Sequence, residues 1–257
     1  VHLASLAIWN LRRRPLRSLL TLWGIAMAVG CFVAMIGLSR GLEKAWINSL
    51  MARGTHLLAM QKGAVEFFTT SLEAHLGDGI RRIEGVREIA GELADMMTLE
   101  GSHLTIAVGW TPGSYLWRTL RLVEGRMPST GEEEVILLGQ SVAEALHKKP
   151  GDFIRLRERA FRIIGLFRIG GVVGNNLAIL PLPVLQAMMG RRDKVTLFHI
   201  RVDQSQEPGK MAAVRTRLQK AFPNLSFVET SQVADNDMIV KLFRAIAWSI
   251  SLIAIVI

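Results

Sequence analysis

The sequence is poor in the groups that build chemistry. Its 257 residues include one cysteine, Cys31, so no internal disulfide can form and a cysteine-based zinc site is excluded. The six histidines are scattered rather than clustered, which removes the other common route to a metal centre. No G-x-x-x-x-G-K-[ST] occurs, so the chain does not itself carry the phosphate loop of a nucleotide hydrolase. Gly170-Gly171-Val172-Val173-Gly174 misses G-x-G-x-x-G by one position and lies among short apolar runs. GLSRG (37–41) matches G-x-S-x-G in letters only. That motif needs a strand–turn–helix elbow, and here it follows a long apolar run, so Ser39 is not read as a nucleophile. With no organised catalytic set, the expectation is a protein that is not an enzyme. Charge is missing too. No charged residue occurs from Ser18 to Ser39 or after Arg244, and residues 1–39 contain four arginines and no acid. The formal net charge of +9 therefore overstates the middle, 40–244, which holds 27 basic and 22 acidic residues. Without a dense basic stripe interleaved with aromatics, no nucleic-acid partner is expected.

The uncharged run Ser18–Ser39 is 22 residues long. As a helix it spans roughly 33 Å, enough to cross a hydrocarbon layer of about 30 Å. It is too long for the apolar region of a signal peptide, and no A-x-A cleavage site follows. Arg12, Arg13, Arg14 and Arg17 precede it and set the orientation by the positive-inside rule, with the N-terminus in the cytoplasm. Residues 1–17 read as an amphipathic segment on the inner surface. Ala26, Gly30, Ala34, Gly37 and Gly41 recur at spacings of three and four, the pattern of a helix-packing face. A second run, AIAWSISLIAIVI (245–257), would cover only about 20 Å. The chain is expected to be a fragment of a longer membrane protein, cut inside its second crossing.

Between the runs, residues 40–56 continue the first helix as a stalk, with Leu42, Trp46 and Leu50 on one face. Ile239, Leu242 and Phe243, in 235–257, lie on a matching return stalk. Two stretches share one order of elements. HLLAMQ (56–61), SLEAHLGDGIRRIEGV (71–86) and REIAGELADMMTL (87–99) read as strand, helix, strand. So do VTLFHIRV (195–202), GKMAAVRTRLQKAF (209–222) and LSFVETSQV (225–233). From 102 to 193 the chain is β-rich, with TIAVGW, LRLVEG, EVILLG, DFIRLR, FRIIGLF and LAILPL bounded by Gly, Pro or Asn. GGVVGNN (170–176) reads as a turn and Glu132–Glu134 as a solvated loop. The expected fold is α+β: an extracytoplasmic domain of two βαβ-like units with a β-rich insertion, flanked by transmembrane helices that continue into stalks.

These features resemble the FtsX-like permeases of ABC systems, the MacB type in particular. The resemblance rests on the opening LAIWNLRRRPLRSLLTLWGIAMAVG and on GTHLLAMQKG (54–63). It continues through Gly109, Pro112 and Tyr115; Glu124-Gly125-Arg126; VILLGQSVAEAL; Gly151-Asp152; FRIIGLF; and Asn176, Pro181-Leu182 and Gln186. It implies a periplasmic core domain over 57–234. Segments 57–101 and 194–234 would be the porter-like part and 102–193 the sabre-like insertion. It implies an inner-membrane protein, multi-pass in full length, that dimerises and works with a cytoplasmic ABC ATPase. ATP would be bound by that partner, with no cofactor in this chain. A periplasmic membrane-fusion protein is a further partner in some branches. The implied mechanism is mechanotransmission, in which ATP hydrolysis moves the outer domains through the stalks, serving export or lipoprotein release. A two-pass membrane sensor with a periplasmic ligand-binding domain shares the helix–domain–helix layout and is the alternative.

Overall fold

The first element, α1 (Pro15–Ala52), is a 38-residue helix, and proline at its first position costs no hydrogen bond because that N–H would be unpaired anyway. Its stretch Ser18–Leu38 is 21 residues long and apolar enough to cross a membrane. There Leu19, Leu22, Trp23, Met27, Val29, Val33 and Leu38 are exposed, and lipid is the surrounding in which such a surface is stable. The helix ends inside the 40–56 stalk segment, at Ala52. Gly54 turns the chain there with φ +63, and a Cβ on it would lie 2.8 Å from Arg201 Nη2, so glycine suits both conformation and space.

The computed structural model describes residues 15–63, 70–129, 131–205 and 207–230. Arg12, Arg13, Arg14, Ile239, Leu242, Phe243 and the second apolar run lie outside these residues, as do the side chains of Arg17, Leu42 and Trp46. By its contacts the chain divides at Glu43/Lys44, and Lys44–Met238 forms one unit.

Within that unit the strands are β1 (Leu57–Gln61), β2 (Leu72–Glu73), β3 (Val86–Leu99), β4 (His103–Trp110), β5 (Arg121–Gly125), β6 (Val135–Gly139), β7 (Phe153–Leu156), β8 (Arg159–Arg168), β9 (Leu177–Pro181), β10 (Lys194–Val195), β11 (Leu197–Val202) and β12 (Leu225–Glu229). The helices are α2 (Leu76–Arg81), α3 (Tyr115–Thr119), α4 (Gln140–Ala145), α5 (Gly171–Gly174), α6 (Leu182–Met189) and α7 (Lys210–Ala221). Ten strands join one sheet in the order β12-β1-β11-β3-β4-β9-β6-β8-β5, with β7 pairing both β3 and β8. The two expected βαβ units are present as β1–α2–β3 and β11–α7–β12, interleaved in one sheet. Each apolar run expected in the insertion is a strand.

The differences are local. Residues 71–86 do not form one helix. Leu72-Glu73 pairs with Lys194-Val195 as a separate ribbon, which shortens the helix to Leu76–Arg81. Thr196 separates that ribbon from β11; its N–H donates to Glu92 O (2.8 Å). GGVVGNN holds one helical turn, α5. In the acidic loop, Glu132 accepts from both Arg126 Nη atoms at 2.8 and 2.6 Å.

The 14-residue strand β3 organises the unit. Val86–Glu92 pairs with β11 and Glu92–Leu99 pairs with β4. Its end, Leu99, lies opposite Leu156 of β7. That contact closes β3, β4, β9, β6, β8 and β7 into a ring of strands, backed by Glu100 N donating to Arg155 O (3.0 Å). The ring encloses Met97, Leu99, Ile154, Leu156, Phe161 and Ile163, in one apolar cluster with Leu57, Ile80, Val214 and Phe227 of the βαβ side. Alternation along the strands sends the next residues to the opposite face. There Leu58, Leu197 and Val228 bury Leu50 of α1.

Candidate functional site

The face that receives α1 carries buried charge. On β3, Glu88, Ala90 and Glu92 share one side by the two-residue period. Their partners across the ladder on β11 are Arg201, His199 and Leu197. Glu92 also lies opposite Trp110, the last residue of β4. Helix α1 ends above this face, so Arg53 in its terminal turn reaches the carboxylate.

Glu92 Oε2 accepts from Arg53 Nη1 at 2.8 Å, Trp110 Nε1 at 2.5 Å and His199 Nε2 at 3.1 Å. Glu92 is 3% exposed, Arg53 5% and His199 0%. A buried ion is tolerated only with such pairing and hydrogen bonding. Burial pushes the Glu92 carboxyl up, but the Arg53 charge and the bonds from His199 and Trp110 outweigh it and bring it down to about 2. Burial, aided by Arg53, lowers the pKa of His199 against the pull of Glu92, so the ring is neutral near pH 7. The hydrogen-bond pattern then assigns its tautomer. An ionised Glu92 accepts only, so Nε2 carries the proton and Nδ1 accepts from Thr55 Oγ1 at 3.0 Å. Thr55 Oγ1 in turn accepts from the Tyr115 hydroxyl at 3.1 Å, and Thr230 donates to Thr55 O at 2.9 Å.

A second pair flanks the first. Arg201 Nη1 donates to Glu88 Oε2 at 3.0 Å and its Nε to Gly54 O at 3.0 Å. Its guanidinium stacks 4.8 Å from the Tyr115 ring centroid, and Arg118 of α3 also pairs with Glu88. On the insertion side, Gly170 presses on the last turn of α1; a Cβ there would sit 2.4 Å from Ser49 Cα and 3.2 Å from Asn48 O. The end of α1 is thus held by an apolar plug, an ion pair and a backbone contact. This arrangement offers no nucleophile–base pair. His56 and Ser205 are 3.4 Å apart, but His56 Nδ1 accepts from Val202 N, so its proton is on Nε2 and it cannot act as a base toward the serine. Among the described residues, no three His, Cys, Asp or Glu side chains are grouped to hold a metal. The contacts among the described residues hold the end of α1 against the sheet.

Of the residues singled out in the sequence, the structure brings Leu50 to this site and, through the resemblance, Tyr115. Ala26, Gly30, Ala34, Gly37 and Gly41 are exposed on α1, and a Cβ at Gly30, Gly37 or Gly41 would meet nothing within 4 Å. Arg53, Glu92, His199, Trp110 and Arg201 were not anticipated. Glu92, His199 and Arg201 carry a signal as single polar residues inside apolar strands, in REIAGELA and TLFHIRV, whereas nothing local marks Arg53 or Trp110.

The MacB-like periplasmic core domain family matches residues 18–221. An uncharacterized ABC transporter permease of Methanocaldococcus jannaschii is 22% identical over 242 residues, covering 87% of this chain and 59% of the relative. The macrolide export ATP-binding/permease protein MacB of Marinobacter nauticus is 26% identical over 175 residues, covering 62% of this chain and 27% of the relative. The chain therefore spans only part of the length of these relatives. The periplasmic region of MacB from Actinobacillus actinomycetemcomitans superposes with a TM-score of 0.54 at 9% identity, covering 70% of this chain and 91% of that one. The extracellular domain of the ABC-type transporter YknZ from Gram-positive bacteria does so with 0.51 at 14% identity, covering 68% and 98%. Both likenesses concern the fold.

Proposed function

The chain belongs to the family of MacB-like periplasmic core domains, and from that premise we propose that it is the membrane helix and outer domain of an ABC transporter permease. In this reading, hydrolysis by a cytoplasmic ATPase does conformational work on cargo or partners outside the membrane, as in export or lipoprotein release. Two copies of the permease pair through the small-residue face of α1, and Arg12–Arg14 with Arg17 hold the N-terminus in the cytoplasm. Leu42 and Trp46, with Ile239, Leu242 and Phe243 on the return side, line the stalks that carry the motion. A periplasmic membrane-fusion protein completes the assembly in a tripartite branch. The observation that carries the reading is the grip on the end of α1. A helix that only anchored a domain would need no buried ion pair there, because a flexible linker serves that purpose.

The test is purification of the full-length protein from its native membrane. An ABC ATPase should co-purify, and its hydrolysis should change when Arg53 is replaced by Met. Recovery of the protein alone, or with a signalling kinase, would overturn the reading, the second outcome in favour of a membrane sensor.

A further inference from the structure

We propose that Glu92 marks a seam within the outer domain, and that Arg53 is the positioning residue through which α1 acts on that seam. This rests on the permease reading above. Glu92 is the one residue of β3 that belongs to both ladders, opposite Leu197 of β11 on one side and Trp110 of β4 on the other. Before it, β3 is part of the βαβ sheet; after it, β3 is a wall of the closed ring. The carboxylate that Arg53 holds therefore sits where one half of the domain passes into the other.

The rest of the grip is divided the same way. Leu50 packs on Leu58, Leu197 and Val228 of the βαβ half. Gly170, at the end of β8, touches Ser49 and Ala52 from the insertion half. Arg53 itself lies 5.6 Å from the Trp110 ring centroid, on the insertion side of Glu92, while His199 binds Glu92 from the βαβ side. One helix end thus touches both halves and the residue between them. Rotating or translating such an end by about one ångström or two is the scale of shift that packed elements convert into a rearrangement. On the opposite face the two halves share an apolar cluster, so the seam flexes or shears rather than opens.

Among the described residues, Arg53 Nε and Ser49 Oγ are buried without a hydrogen-bond partner. Ser49 lies in the last turn of α1 and Arg53 directly follows it.

The experiment uses the full-length protein with its ATPase, in a Cys31→Ser background, spin-labelled at Thr216→Cys on α7 and Ala160→Cys on β8. Labelled protein is diluted with unlabelled protein so that only distances within one chain are read. Adding a non-hydrolysable ATP analogue should shift the distance distribution between the two labels. That shift should be lost in Arg53→Met and reduced in Gly170→Ala, whose Cβ would press on the Ser49 backbone and force the insertion-side contact apart. If Arg53→Met does not fold, Arg53→Lys, which keeps the charge but gives up the guanidinium geometry, carries the test with a reduced shift. A full shift in the variants would overturn the proposal, as would ATP turnover in the unsubstituted protein with no change in distance. Failure to find any ATPase would overturn the permease reading, and this proposal with it. Turnover without a distance change would overturn the seam alone.

Discussion

Glu92 shows how a single side chain can concentrate both stability and pH dependence. Removing it by Glu92→Ala leaves Arg53 buried without its counter-ion, a change that costs about 3–5 kcal/mol. Replacing both members, as in Arg53→Met with Glu92→Leu, removes the ions together and should be milder, since apolar isosteres of buried pairs are often neutral. The expected order of unfolding midpoints in detergent is wild type, then the double variant, then Glu92→Ala. The folded carboxyl titrates at about 2 against an ordinary 4.5. Its contribution is therefore fully present above about 4.5 and is lost as pH falls toward 2. His199 and His56 act at higher pH with the same sign. Burial lowers both below 6.5, so the unfolded chain takes up protons there before the folded one does, and stability falls as pH drops below 6.5. His199→Gln should flatten the slope between pH 7 and 5, leaving the part due to His56. A slope unchanged by that substitution would contradict the assignment. This chemistry was only faintly legible in the sequence. A glutamate and a histidine inside apolar strands declare buried polar positions, but their partner Arg53 is more than thirty residues away, and nothing local names it.

At the scale of elements the sequence was more informative, because hydrophobic periodicity is a local property. It placed the spanning helix, both βαβ units and each strand of the insertion. It missed the ribbon of β2 and β10, whose two-residue strands carry no period, and it could not see that β7 closes a ring through a single contact with β3. Long-range pairing of that kind follows from register and not from composition. Two substitutions test elements separately. Leu50→Ala should cost about 2–5 kcal/mol, the range for emptying a buried leucine site, and should show as faster hydrogen exchange in β1 and β12. Val29→Arg, within the spanning stretch, should raise the cost of insertion by about 2.5–3.5 kcal/mol, read as the fraction of protein that resists alkaline extraction from membranes.

For the whole molecule the matter is assembly. The exposed face of Ala26, Gly30, Ala34, Gly37 and Gly41 lets another helix approach closely, as small residues do in membranes. On the permease reading proposed above, Gly30→Leu with Ala34→Leu should reduce dimer recovered by crosslinking of the full-length protein. Unchanged assembly would remove α1 from the interface. Fold class and family were readable from the order of elements along the chain, whereas cargo is a property of surfaces and partners that this order does not encode.

The pairing order also sets a timetable for biogenesis. Leu57 of β1 lies opposite Ile200 and Glu229, so β1 finds no neighbour until the end of the domain has been made and moved across the membrane. The ring, by contrast, uses only strands between Val86 and Pro181 and is complete in sequence much earlier. Contacts distant along the chain form slowly. Leu50 can dock only when Leu58, Leu197 and Val228 have come together. By this order of pairing, the docking of Leu50 depends on the contacts that are most distant along the chain.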